Sequence, residues 1–159
     1  MFRFKRPTRA AVAALGLTTA LTLSACSDLP EVNISADQLT QFVEDAKSQV
    51  QTIAADAQTL GAGIGSLPEN LRTTAQDAIT SAQAAAGKAT GALEGAKAQS
   101  GDARQRLDDA KTALDDATTK LADLKKSAGE NVTPATQKAI DGLQTQIDSL
   151  TQKVTDASG

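Results

Sequence analysis

The chain contains no histidine, tryptophan or tyrosine, and it has only one cysteine among its 159 residues. Without histidine, zinc loses its usual nitrogen ligand and a serine or threonine loses the commonest base that would activate it. A single thiol cannot form an internal disulfide. Beyond residue 25, Phe42 is the only aromatic residue, so the chain has almost no side chains that could stack on bases or sugars.

Sequence motifs of catalysis are missing as well. Beyond residue 25 there is no Gly-x-Ser-x-Gly elbow, no Walker loop and no dinucleotide fingerprint. A Ser–Lys pair would need a rigid pocket, which an alanine-rich bundle does not offer. We therefore expect a protein that is not an enzyme, with no catalytic residue, metal site, cofactor or small-molecule substrate.

Large apolar residues are scarce. Leu, Ile, Val and Phe make up 24 of the 134 residues from 26 onward, about 18%, which is near the level at which disorder becomes a possibility. The same segment has 12 basic against 19 acidic residues, a formal charge of −7, which disfavours nucleic acid and anionic lipid as partners. Any core should be thin, and its helices should depend on one another.

The N-terminus has the order of a secretory signal. Arg3, Lys5, Arg6 and Arg9 precede an apolar run over residues 10–23. Fourteen residues are fewer than the roughly 20 that cross a bilayer as a helix. The pattern predicts a cleaved signal rather than a permanent span.

The run ends in Leu23-Ser24-Ala25-Cys26, which resembles the lipobox of bacterial lipoproteins. The resemblance covers only the first 26 residues, but every position fits. It implies that residues 1–25 are a signal peptide, that Leu23, Ser24 and Ala25 direct processing, and that Cys26 is acylated, for example with palmitate. The protein would then be lipid-anchored on the extracytoplasmic side of the cell membrane or outer membrane. An ordinary cleaved signal with a fortuitous cysteine is the alternative.

Beyond a flexible tether over residues 26–34, the first helix is predicted over residues 35–60. Ser35 and Gln38 have the spacing of a capping box, and Ile34 and Leu39 that of a hydrophobic staple. Apolar residues then recur by threes and fours as far as Leu60, and three closely spaced glycines follow.

A long second helix is predicted over residues 66–128. Ser66 and Glu69 have capping-box spacing, and a heptad pattern of mostly Ala and Leu runs from Ile79 to Leu124. Glycines make residues 87–101 soft, because each costs about 1 kcal/mol relative to Ala in a helix. The alternative is two helices with residues 87–101 as a linker.

A third helix is predicted over residues 134–157, with Thr133 as N-cap and Pro134 in the first turn. The short connection predicts an antiparallel hairpin with the preceding helix. The fold class is thus all-α: amphipathic, alanine-rich helices in a hairpin, coiled coil or small bundle. The expected packing residues are Leu107, Leu114, Leu121, Leu124, Ile140, Leu143, Ile147, Leu150 and Val154.

Five aspartates crowd one side of the second helix: Asp108, Asp109, Asp115, Asp116 and Asp123. Carboxylates seven residues apart lie about 10 Å apart along a helix, too far to converge on one calcium ion. We expect a solvated face with pairs of the Asp116–Lys120 type.

Three functions are compatible with this pattern. The first is a membrane-anchored helical scaffold or envelope spacer, a role compatible with homo-oligomers. It is loosely similar in style to the murein lipoprotein, although the chain lacks that family's C-terminal lysine. The second is a surface module that binds an envelope protein or a lipid through amphipathic helices. The third is a largely disordered protective polymer, because residues 72–101 resemble alanine- and glycine-rich stress proteins in composition.

Overall fold

The computed structural model describes residues 34–129 and 132–159. These residues form four long helices, α1 (Ala36–Gly63), α2 (Glu69–Lys97), α3 (Ala103–Ala128) and α4 (Pro134–Ser158), with a short 3₁₀ turn over Ile64–Ser66. No strand occurs in the described part of the chain. The predicted all-α fold is confirmed.

The helices pack as a small antiparallel bundle. Each helix contacts its neighbours in the chain, and α1 also contacts α4, which closes the bundle. Of the two diagonal pairs, the backbones of α2 and α4 approach closely, whereas no Cα of α1 lies within 8 Å of a Cα of α3. Because the connections between helices are short, successive helices run in opposite directions.

The core is built from large residues on three helices and from alanine on the fourth. Helices α1, α3 and α4 bury Leu, Ile and Val, whereas α2 buries mostly alanines between Leu71 and Leu93. Small side chains let the backbone of α2 approach its neighbours closely, which accounts for its contact with diagonal α4. The buried alanines of α2 are Ala75, Ala78, Ala82, Ala85, Ala86, Ala89 and Ala92.

Two predicted helix starts are confirmed. The Ser35 hydroxyl accepts a hydrogen bond from the Gln38 backbone N–H at 3.2 Å, and the Gln38 side chain accepts from the Ser35 N–H at 3.1 Å. At α4, the Thr133 side chain accepts from the Thr136 N–H, with Pro134 as the first helical residue. Both starts rest on contacts between residues three apart, which the sequence alone can specify.

The predicted capping box at Ser66 was wrong. Pro68 is the N-cap of α2, no side chain caps this helix, and the Ser66 hydroxyl instead donates to the carbonyl of Gly63 at 2.6 Å. Helix α1 continues through Gly61 to Gly63 and passes directly into the 3₁₀ turn. Ser66 therefore belongs to the end of this turn and is too early to cap α2.

The predicted continuous helix over residues 66–128 was also wrong. Helix α2 ends at Lys97, and α3 begins at Ala103. The linker alternative had the right kind of break but the wrong extent, because Gly87, Gly91 and Gly95 all remain helical. Folding back at residues 98–102 buries the alanine face of α2 against the leucine face of α3, which one straight helix would leave in water.

The turn at this break has the hydrogen bonds of a Schellman motif. The Ser100 N–H donates to the Gly95 carbonyl and the Gln99 N–H to the Ala96 carbonyl, both at 3.0 Å. Gln99 adopts a φ of +52°, the left-handed conformation that this motif requires. Glycine usually occupies this position, and its absence hid the helix end from sequence analysis.

Candidate functional site

The predicted anchor and processing residues, Cys26 with Leu23, Ser24 and Ala25, lie outside the described residues. Ten positions separate Cys26 from Ala36, the first residue of α1. The proposed lipid anchor therefore stays a prediction from the sequence.

The nine predicted packing residues are all buried within the single chain. None exceeds 3% exposure, and they lie on α3 and α4, which contact each other. This apolar stripe therefore faces the other helices of its own bundle. It is not free to pair with a second copy while the bundle is closed.

The aspartates of α3 lie on its exposed side. The predicted pair is present: Lys120 Nζ lies 2.9 Å from Asp116 Oδ2, and Lys120 also donates to the Ser81 hydroxyl at 2.7 Å across the α2–α3 contact. Within residues 34–129 and 132–159, no group of three or more Asp, Glu, Cys or His side chains is arranged to hold a metal ion.

Two shallow depressions, open to solvent, lie in the groove between α2 and α3. Small residues such as Ala84 and Gly91 form one wall, and Asp109 and Asp116 belong to the other. Lys88 contributes to both depressions. Neither is an enclosed cavity that would hold a ligand away from water.

The contact between α1 and α4 carries polar groups that the sequence analysis missed. Two of them on α1, Gln49 and Asp56, are seven residues apart, and Phe42 and Gly63 continue this spacing, so these positions form a line along one helix face. We call this line the α1–α4 polar seam. Its members on α1 are Phe42 with Asp45, then Gln49, Asp56 and Gly63, and their neighbours on α4 are Lys153, Ser149, Gly142 and Thr136.

Gln49 lies in the middle of the seam. Its Nε2 donates to the Ser149 hydroxyl at 2.6 Å. Its Oε1 is buried and has no hydrogen-bond partner among the described residues.

Asp56 and Gly142 meet further along the seam. A Cβ on Gly142 would lie 2.5 Å from Asp56 Oδ2, so the glycine makes room for the carboxylate. Partial burial raises the pKa of Asp56 above its ordinary value, and the charge of Lys138 opposes this only in part. The ionised carboxylate is therefore less favourable here than in water.

The two ends of the seam are different in character. At one end Lys153 is only 17% exposed, with its Nζ 3.4 Å from Asp45 and 5.8 Å from the centre of the Phe42 ring. At the other end a Cβ on Gly63 would lie 2.5 Å from the hydroxyl of buried Thr136. Small residues and one ion pair thus lie along the contact between α1 and α4.

The seam could not be predicted from the sequence, because polar residues on a helix face can be paired across a contact only when the facing helix is known. Gln49 and Asp56 each sit beside an apolar stripe residue, Val50 and Ala57, and their seven-residue spacing was the one available signal. Nothing in that spacing identifies α4 as the partner.

Comparisons with known proteins return no match to a family model, a curated protein or a solved structure. Among the described helices, none is at once long enough and apolar enough to cross a bilayer.

Proposed function

We infer that this protein is a lipid-anchored extracytoplasmic lipoprotein whose helical bundle serves as a non-enzymatic structural module, a spacer or scaffold at the bacterial envelope. The observation that carries the proposal is the Leu23-Ser24-Ala25-Cys26 sequence directly after a basic and then apolar segment. An acylated N-terminal cysteine is the physical basis of attachment, because two or three acyl chains anchor stably whereas one holds only marginally.

The bundle topology supports a spacer. The start of α1 lies at the same end as the α2–α3 turn and the C-terminus of α4, because successive helices are antiparallel. An anchor at Cys26 would attach this end to the membrane through a tether of at most about 35 Å. The opposite end, with residues 64–68 and the α3–α4 connection, would stand about 40 Å further out, since α1 has 28 residues.

A structural role also fits the chemistry of the described surface. Apart from the pair of Lys153 with Asp45, in which Lys153 is mostly buried, the ion pairs of the described residues are solvent-exposed, as Lys47 with Glu94 at 2.8 Å and Lys125 with Asp141 at 2.6 Å. Such pairs contribute little stability and leave the surface hydrophilic. The packed helices argue against the disordered-polymer interpretation for residues 34–129 and 132–159.

Replacing the anchor residue tests the proposal. The Cys26→Ala variant, expressed in a bacterial host, should accumulate as an unprocessed precursor or lose its membrane attachment, because acylation and cleavage both need the thiol. The matched control is Ser27→Ala, which retains the cysteine and should fractionate as wild type does. Cell fractionation with immunoblotting measures both. A Cys26→Ala protein that is processed normally and still bound to membranes would contradict the proposal.

A further inference from the structure

We draw no further inference here: the strongest candidate, the shallow groove between α2 and α3 that is lined by Ala84 and Gly91 on one side and by Asp109 and Asp116 on the other, is open to solvent, and nothing in the structure shows what covers it.

Discussion

At the scale of single residues, backbone conformation at the turn between α2 and α3 is the feature that local sequence rules describe least well. Gln99 holds the left-handed position that a glycine would hold more easily. Gly101, two residues later, does not adopt the left-handed conformation, so its conformational freedom does not remove the strain at Gln99. The protein therefore carries a small conformational cost at this turn.

Replacing Gln99 with glycine should raise the free energy of unfolding by about 1 kcal/mol, because glycine adopts positive φ without steric cost. Gln99→Ala is the control, since its Cβ keeps the strain and no gain is expected. Urea unfolding followed by circular dichroism measures both variants. Equal stabilities for the two would show that the left-handed conformation at this position is not strained.

The glycines within the helices differ in what surrounds their Cβ positions. Gly63→Ala should lower the free energy of unfolding by about 1–3 kcal/mol, because its Cβ would overlap buried, β-branched Thr136, whose hydroxyl is paired with Thr133 at 2.9 Å. Gly87 has nothing within 4 Å of its Cβ position, so Gly87→Ala should gain about 0.5–1 kcal/mol of helix stability. Thermal unfolding measures the stability of both variants. A Gly63→Ala variant more stable than wild type would contradict the close approach of residue 63 to Thr136.

At the scale of elements, helix starts were predictable and helix partners were not. The starts of α1 and α4 follow from side chains three residues apart, so the sequence specifies them locally. The break at residues 98–102 was expected only in the alternative with a linker over residues 87–101, because the heptad spacing continues across it from Leu93 to Leu107. The α1–α4 polar seam escaped because its pairs, such as Gln49 with Ser149, lie a hundred residues apart.

The seam also gives the bundle a pH dependence. In the folded protein the pKa of Asp56 lies above its ordinary 3.8, so the unfolded chain ionises first as the pH rises. Stability contributed by the protonated carboxyl is therefore lost as the pH rises from about 3.8 through the raised value. It stays lost at neutral pH.

Asp56→Asn should therefore be more stable than wild type at neutral pH, and the difference should vanish as the pH falls below about 3.8. Asp102→Asn is a control of opposite sign. A hydrogen bond from Arg106 lowers the pKa of Asp102, so this substitution should lower the free energy of unfolding at neutral pH and have a smaller effect in acid. Urea unfolding across a pH series measures both. A neutral-pH loss of stability in Asp56→Asn would rule out the desolvation argument.

At the scale of the whole molecule, a chain poor in large apolar residues still closes a core because alanine supplies most of one helix. Leu and Ile from α1, α3 and α4 surround the alanines of α2. Composition alone placed the chain near the disorder boundary, whereas periodicity indicated helices, and the fold confirms the periodicity. The apolar stripe predicted for packing is buried inside the bundle.

We propose above that lipid on Cys26 holds this bundle on a membrane. Intact-mass spectrometry of the native mature protein, with fragmentation of its N-terminal peptide, tests it most directly. We expect a chain that begins at Cys26 and carries two or three acyl chains on that residue. An unmodified Cys26, or a mature chain that begins at any other residue, would contradict it.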